Sequence, residues 1–275
     1  MKNRMTRAAL ALTFLLAACG TTTTTPPPAA PGEHLTIGVH ADVPGWGKSV
    51  GGAWSGYDYA LARWLGQDLG FTVRPYDTLS LNRETLIKEG TVDAVIATYS
   101  ATDARAKEVD FVGPYLIAKQ ALLVRKTDAA ALAKVKPQNL TGCVQEGSTS
   151  QDQLDHYGYA SFSASATLTE CLDQLDTGKV QAIGTDDLVL YGFVNDHPGR
   201  YEILGTRIGH LELYGIGVRK GNFELCQRLR GALGRFVTTG LWQTFLANNL
   251  PTMPPSEYDT HSPLKVSEFS CTPPQ

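Results

Sequence analysis

One arginine stands beside a run of hydroxyl-bearing residues, a combination that suits recognition of a carboxylate. Arg105 follows the loop of residues 98–102, which itself follows an apolar segment at residues 92–97. The guanidinium group is a planar fork of N–H donors, and hydroxyl and backbone amide groups can add further donors to the same anion. An arginine on a short helix is also an ordinary surface residue, so this pattern alone leaves both interpretations open.

A second polar cluster lies further along the chain and pairs hydroxyl groups with an acid. Ser148 and Thr149 follow the apolar segment at residues 141–145, and Asp186 precedes a predicted helix. A carboxylate such as Asp186 can receive an ammonium group. Serine, threonine and aspartate are also common N-terminal helix caps, so a purely structural role for all three residues stays open.

Patterns typical of enzymes and metal sites are absent from the sequence or in the wrong context. Residues 47–51 match Gly-x-Ser-x-Gly, but a nucleophile elbow requires a strand before the motif and a helix directly after it, and here the motif lies in a Gly-rich segment. The six histidines are scattered, and no Cys-x-x-Cys occurs. We therefore predict no catalytic residue, no metal and no cofactor.

Alternating strands and helices are predicted to position these polar loops. In the first part, strands are predicted at residues 35–39, 71–73, 92–97 and 121–125, helices at 57–69 and 83–89, a helical turn at 102–107 and a loop at 44–56. In the second, strands are predicted at 141–145, 180–183 and 213–219, and helices at 167–175, 223–238 and 241–249. This order predicts an α/β fold with a mostly parallel sheet. Because the pattern restarts near residue 141, it also predicts two lobes with a ligand cleft between them.

The N-terminus has the features of an export signal. Three basic residues precede a short apolar stretch that ends in Leu16-Ala17-Ala18-Cys19. We predict a lipoprotein signal peptide at residues 1–18 and lipidation of Cys19, with a plain signal peptide as the alternative. The tract that completes residues 19–32 is rich in Thr, Pro and Ala and predicts an extended tether. The protein is then expected outside the cytoplasm, anchored by lipid to the outer face of the cytoplasmic membrane.

The net charge argues against some partners. Removal of residues 1–18 takes away three basic residues and no acidic one, so 21 Lys and Arg would face 27 Asp and Glu, a net charge of −6. An acidic exported chain is not built to bind nucleic acid or an anionic membrane surface. Neither of these two partner classes is therefore expected.

Four cysteines remain after Cys19, and an even count in an exported chain favours disulfides. Three pairings of Cys143, Cys171, Cys226 and Cys271 are possible. We favour Cys143–Cys171 and Cys226–Cys271, because each pair then stays within one stretch of chain.

From residue 35 to residue 249 the chain resembles the extracytoplasmic solute-binding proteins of polar amino acid ABC importers, of the family 3 type. The most specific segment is ATYSATDAR at residues 97–105 followed by DFVGPY at residues 110–115. Further matching segments, in the right order, are GSTS at 147–150, TDD at 185–187, YGIGV at 214–218, DVPG at 42–45 and GYD at 56–58. Within this family the chain is most similar to the glutamate/aspartate-binding branch.

The resemblance implies a two-lobed periplasmic-binding-protein type II fold, with a ligand cleft between the lobes and a hinge of two strands. Lobe 1 would consist of residues 33–123 and 217–275, the second of which includes a disulfide-tied C-terminal tail. Lobe 2 would consist of residues 124–216. Binding of a free amino acid would bring the lobes together and deliver the ligand to an ABC importer permease. The resemblance also implies a monomer.

The resemblance also implies roles for individual residues. Arg105 would hold the ligand α-carboxylate with help from Thr98, Ser100 and Thr149, and Asp186 would pair with the α-ammonium group. A further segment, SLNR at residues 80–83, resembles the acidic-ligand branch, in which Arg83 and Ser80 would contact a side-chain carboxylate.

Three positions depart from the pattern of the branch. His40 stands where basic side chains occur, so its charge is expected to vary with pH near the ligand. Trp46 is bulky near the cleft and is expected either to stack on the ligand or to cover the hinge side. Leu168 replaces an expected polar or aromatic contact.

The sequence is compatible with three functions to different degrees. Capture of glutamate or aspartate for an importer is the leading one, with glutamine or asparagine as alternative ligands. A sensor that signals to a membrane protein is the second. An enzyme on the same fold is disfavoured, because Arg105 and Asp186 together suit a zwitterion.

Overall fold

The computed structural model describes residues 32–265, 269 and 271–273. The predicted signal peptide, Cys19 and nearly all of the tether lie outside the described residues. No helix in the described part of the chain is long and apolar enough to cross a membrane.

The first part of the chain builds an α/β unit. Its elements are β1 (His34–Val39), β2 (Asp42–Val43), β3 (Gly47–Val50), β4 (Ala53–Ser55), α1 (Tyr57–Leu69), β5 (Thr72–Asp77), α2 (Arg83–Glu89) and β6 (Ala94–Val95). The helix α1 forms where predicted, since Leu61 and Leu65 share one face and are buried. It ends at Gly70, whose φ of 80° is left-handed and favours glycine.

The predicted loop at residues 44–56 is wrong in part. Within it, β3 and β4 pair as an antiparallel hairpin, and β2 pairs with β3. Gly51 and Gly52 join the two strands with φ of 57° and 83°, the conformation that tight hairpin turns require. The Gly-x-Ser-x-Gly segment therefore lies in a hairpin and has no helix directly after it.

Two long strands connect the two halves of the molecule. They are β7 (Val109–Arg125) and β12 (Ile208–Arg219), which run antiparallel, with Tyr214 opposite Leu116 and Gly217 opposite Phe111. Only the last part of β7 was predicted. Nearly every residue of β7 is buried, so its sequence lacks the alternation by which a half-exposed strand is recognised.

The second unit lies between these strands in the sequence, and the remaining helices follow β12. Its elements are α3 (Ala129–Leu132), β8 (Gly142–Gln145), α4 (Ser150–His156), β9 (Phe162–Ser165), α5 (Leu168–Asp176), β10 (Ala182–Asp186), α6 (Asp187–Asp196) and β11 (Tyr201–Ile203). After β12 come α7 (Phe223–Thr238) and α8 (Leu241–Asn249). Both α7 and α8 match their predicted bounds.

Among the described residues, nine strands form one sheet in the order β5-β1-β6-β12-β7-β10-β8-β9, with β11 also on β7. The pairs β1–β5, β1–β6, β8–β9 and β8–β10 are parallel, whereas every pair that involves β7 or β12 is antiparallel. The sheet is therefore mixed and not mostly parallel as predicted. Each end is a parallel α/β unit, and the two connecting strands lie in the middle.

Aromatic side chains join helices of the first unit to the helices that follow β12. The rings of Trp64 on α1 and Phe236 on α7 are 5.2 Å apart, and Phe236 stacks on Phe245 of α8 at 5.1 Å. The C-terminal helices thus pack on the first unit, although they follow the second in sequence.

Two disulfides pair the cysteines as favoured from the sequence. Cys143 of β8 is joined to Cys171 of α5, and Cys226 of α7 is joined to Cys271 of the tail. The Cys143–Cys171 disulfide ties α5 to β8 within the second unit. The Cys226–Cys271 disulfide ties the C-terminal tail to α7.

Candidate functional site

A pocket lies between the two units. Seven of the nine ligand-binding residues predicted from the sequence line it: Ser80, Arg83, Thr98, Ser100, Arg105, Thr149 and Asp186. Further lining residues are Val43, Gln145, Ser148, Ser150, Leu168, Thr185 and Val189.

Arg105 is held from three directions at the edge of the pocket. Its Nη1 donates to the carbonyl of Ser100 at 2.8 Å, and its Nη2 donates to the carbonyl of Gly147 at 2.8 Å. Its Nε lies 3.2 Å from a carboxylate oxygen of Glu84 on α2. These contacts fix the plane of the guanidinium group and leave one hydrogen on each Nη for an anion.

Arg83 is the most deeply buried cation of the pocket, with 2% of its surface exposed. Its Nε, Nη1 and Nη2 donate to the carbonyls of Ser80 (3.1 Å), Ala97 (3.0 Å) and Gly147 (3.2 Å), and its Cζ lies 4.4 Å from the centroid of the Tyr99 ring. No carboxylate of the described residues forms an ion pair with it. Burial, and next the charge of Arg105, lower the pKa of Arg83 to about 10, so it stays charged at pH 7.

The two guanidinium groups therefore converge on one acceptor, the carbonyl oxygen of Gly147. Glu84 is the one carboxylate in direct contact with either of them among the described residues. Two positive charges with one direct counter-ion leave this end of the pocket electrostatically suited to an anionic group.

Thr98 has an unusual backbone, and a buried acid holds it in place. Its φ is 41°, in the left-handed region that β-branched residues rarely adopt. Its N–H donates to Asp58 Oδ2 at 2.8 Å, and Asp58 Oδ1 accepts from the hydroxyl of Tyr115 at 2.9 Å. Burial raises the pKa of Asp58 to about 7. The Gly-Tyr-Asp segment at residues 56–58 carries part of the family resemblance, but the sequence alone does not predict this role for Asp58.

Asp186 lies at the end of β10 and is 6% exposed. Its Oδ1 accepts from Gln120 Nε2 at 2.5 Å and its Oδ2 from the hydroxyl of Tyr214 at 2.6 Å. Burial, and next the charge of Glu212, raise its pKa well above the usual value. Its side chain makes no capping hydrogen bond to α6. An ammonium group in the pocket would supply the positive charge that this carboxylate lacks.

Thr149 contacts an acid that sequence reasoning missed. Its hydroxyl donates to Glu212 Oε1 at 2.9 Å, and its side chain makes no capping hydrogen bond to α4. Glu212 lies on β12, is 2% exposed, and also accepts from Gln153 and from Gln120 Nε2 at 3.3 Å. Its place in a strand gave no local signal, because its partners are distant in sequence.

Ser80 reaches across the pocket to the second unit. Its hydroxyl donates to Gln145 Oε1 at 3.1 Å. Gln145 is buried at the end of β8 and lines the pocket, and sequence reasoning did not single it out. Leu168 also lines the pocket and contributes an apolar side chain to it.

His40 and Trp46 do not line the pocket. His40 is 1% exposed, and burial, with the charge of Arg83 as the next cause, lowers its pKa to about 3. It is therefore neutral at pH 7, which contradicts the expectation of a charge that varies near the ligand. Trp46 donates from Nε1 to the carbonyl of Leu188 at 3.0 Å and lies edge-on to Tyr214. Trp46 therefore packs against α6 and β12 and does not line the pocket.

Acidic and histidine side chains form no candidate metal centre within residues 32–265, 269 and 271–273. The arrangement instead offers charged and polar groups of both signs around a small volume. It can hold a zwitterion by complementary charges without any chemical step.

Comparisons with known proteins find related sequences over most of the chain. The profile of the bacterial extracellular solute-binding proteins, family 3, matches residues 35–250. The glutamate-binding protein GluB of Corynebacterium efficiens is 33% identical over 262 residues, which cover 89% of each chain. The ABC transporter glutamine-binding protein GlnH of Bacillus subtilis is 27% identical over 259 residues, covering 87% of this chain and 94% of that protein.

Solved structures show the same architecture. An ancestral arginine-binding protein bound to glutamine has a TM-score of 0.69 at 28% identity, covering 78% of this chain and 96% of that one. An ancestral amino acid-binding protein described as a precursor of cyclohexadienyl dehydratase has a TM-score of 0.69, covering 79% and 95%, and at 24% identity it shows likeness of fold alone.

Proposed function

Because the chain belongs to the bacterial extracellular solute-binding proteins of family 3, we propose that it captures a free acidic amino acid, glutamate or aspartate, and delivers it to an ABC importer in the membrane. The observation that carries the acidic preference is Arg83. It is a buried cation that faces the pocket and has no carboxylate partner among the described residues.

The zwitterionic part of the ligand fits the two sides of the pocket. Arg105 donates to the α-carboxylate, with Thr98 and Ser100 from the same unit and Thr149 from the other. Asp186 accepts from the α-ammonium group. The opposite signs of Arg105 and Asp186 fix the orientation of the ligand, since reversal would place like charges together.

The side chain of the ligand then points toward Arg83 and Ser80. A buried cation without a counter-ion is destabilising, and a ligand carboxylate would compensate it. A neutral amide would accept one hydrogen bond there but leave the charge uncompensated. The glutamate-binding relative supports this assignment. The glutamine-binding relative and the glutamine-bound ancestral protein make an amide the alternative ligand.

Release and capture require the two lobes to move. We place the hinge in β7 and β12, with residues 33–123 and 217–275 in lobe 1 and residues 124–216 in lobe 2. Ligand-driven closure then shifts the population toward the closed form, which the permease recognises. The lobes bind and release the ligand unchanged, so we assign no enzymatic activity.

Isothermal titration calorimetry on the lipid-free protein tests this proposal. Glutamate, aspartate, glutamine, asparagine and arginine are titrated separately. We expect tighter binding of glutamate or aspartate than of the matching amide. A preference for arginine or for an amide would overturn the acidic assignment, and no binding of any amino acid would overturn the function.

A further inference from the structure

The two lobes touch backbone to backbone at the rim of the pocket. A Cβ atom built on Gly147 would lie 2.4 Å from Leu81 Cα, 2.6 Å from Leu81 N and 2.9 Å from the carbonyl carbon of Ser80. All three atoms belong to the backbone of the other lobe, so no side-chain rotation could make room. Gly147 itself is solvent-exposed, which places the contact at the edge of the interface.

The same residue completes the hydrogen bonding of both arginines. The Gly147 carbonyl accepts from Arg105 Nη2 at 2.8 Å and from Arg83 Nη2 at 3.2 Å. The neighbouring bond from Ser80 to Gln145 also crosses between the lobes. When the lobes separate, all of these contacts break together and both guanidinium groups lose an acceptor.

We propose that Gly147 determines how far the lobes close: its missing side chain lets the second lobe lie directly on the backbone of Ser80 and Leu81, and its carbonyl then completes the coordination of Arg83 and Arg105. This inference rests on the proposed function, because it concerns closure around an amino acid. The left-handed φ of 74° by itself favours glycine at position 147. The close approach of the two lobes is a second, separate reason for glycine, and it gives this residue a positioning role.

A side chain at this position should act as a wedge. In Gly147→Ala, the lobes can approach only until the methyl group meets Leu81, so the fully closed form is depopulated. Apparent affinity falls with the population of the competent form, and we expect glutamate affinity to fall by at least about tenfold. Binding should not vanish, since Arg105, Thr98 and Ser100 all belong to the other lobe.

Gly158→Ala is the matched control. Gly158 lies in the same lobe with a left-handed φ of 88°, but the nearest atom to its built Cβ is Pro137 Cβ at 3.9 Å. Both substitutions therefore introduce the same kind of backbone strain, and only one affects the contact between the lobes.

The experiment combines calorimetry with small-angle scattering at saturating glutamate. We expect the radius of gyration of the wild type and of Gly158→Ala to decrease on binding, and that of Gly147→Ala to decrease less. Equal compaction and equal affinity in Gly147→Ala would overturn the inference. Failure of the wild type to bind any amino acid would instead overturn the proposed function.

A measurement on the wild type decides the question even if Gly147→Ala does not fold. Amide hydrogen exchange is followed with and without glutamate. We expect slower exchange in residues 80–82 and 146–148 when glutamate is present, because closure brings the backbones of these two segments into contact. Unchanged exchange in both segments, with glutamate bound, would also overturn the inference.

Discussion

Tyr214 donates its hydroxyl hydrogen to Asp186 at 2.6 Å and so ties the proposed ammonium site to β12. The other oxygen of Asp186 accepts from Gln120 on β7. The carboxylate thus contacts both strands that connect the lobes. A ligand that pairs with Asp186 would therefore contact a carboxylate held by both connecting strands, in which we propose the hinge.

Replacing Tyr214 by phenylalanine tests this link. Tyr214→Phe keeps the buried ring and removes one donor to Asp186, so we expect glutamate affinity to fall by about 1–2 kcal/mol, measured by calorimetry. Tyr57→Phe is the control, because the hydroxyl of Tyr57 is buried without a hydrogen-bond partner among the described residues. A loss of affinity in the control as large as in Tyr214→Phe would contradict the assignment.

The two arginines should differ in what they recognise. Methionine approximates the volume of arginine without its charge. Arg105→Met should abolish binding of every amino acid, whereas Arg83→Met should weaken glutamate by about 2–5 kcal/mol and glutamine much less. Titration of both ligands into both variants checks this. Equal losses for glutamate and glutamine in Arg83→Met would show that Arg83 does not read the side chain.

Two buried groups should give opposite dependences of stability on pH. His40 has its pKa lowered to about 3, so the unfolded chain binds the proton more readily, and this group's contribution to stability rises as pH increases from about 3 to 6.5. Asp58 has its pKa raised to about 7, so its contribution falls as pH increases from about 4 to 7. Each pKa unit corresponds to about 1.4 kcal/mol.

The free energy of unfolding of His40→Asn and Asp58→Asn, followed by denaturant titration at several pH values, separates these two effects. The difference between the wild type and His40→Asn should increase with pH in the acid range and then level off. The difference for Asp58→Asn should decrease over its own range. If both stability differences changed with pH in the same direction, one of the two groups would lack the pKa shift that its burial causes.

Each disulfide should stabilise the fold by about 3–4 kcal/mol in the chain-entropy account. The two closed loops separate their cysteines by 28 and 45 residues, so the effects should be similar. We expect the Cys143→Ser/Cys171→Ser and Cys226→Ser/Cys271→Ser variants each to unfold at lower denaturant concentration. Reduction of the wild type should reproduce both losses. Free thiols in the denatured, unreduced lipid-free protein would contradict the pairing.

Much of the local structure could be read from the residues themselves. Apolar spacing and the left-handed glycines that follow α1 and α2 are encoded by neighbours in the chain, and these helices form at the predicted bounds. The family, the α/β class and the cysteine pairing are confirmed as well. The N-terminal lipid site lies outside the described residues and stays a prediction.

Other features depended on packing or on turn geometry that no local alternation of polar and apolar residues reveals. Most of β7 went unrecognised, because a strand covered on both faces has no alternation. The hairpin of β3 and β4 was predicted as a loop because the segment is rich in glycine. Two of these glycines, Gly51 and Gly52, form the turn of the hairpin. His40 was predicted to titrate near the ligand, and its enclosure in the core keeps it neutral instead.

The sequence by itself determined which residue types follow each strand, and therefore that an arginine, hydroxyl groups and an acid would line a cleft. Only the tertiary structure decided how they meet. The register of β7 and β12 brings Gln120, Glu212 and Tyr214 to Asp186 and Thr149, and the approach of the lobes places one Gly147 carbonyl between Arg83 and Arg105. Such contacts join residues tens of positions apart, and their geometry follows from packing of the whole chain rather than from any local segment.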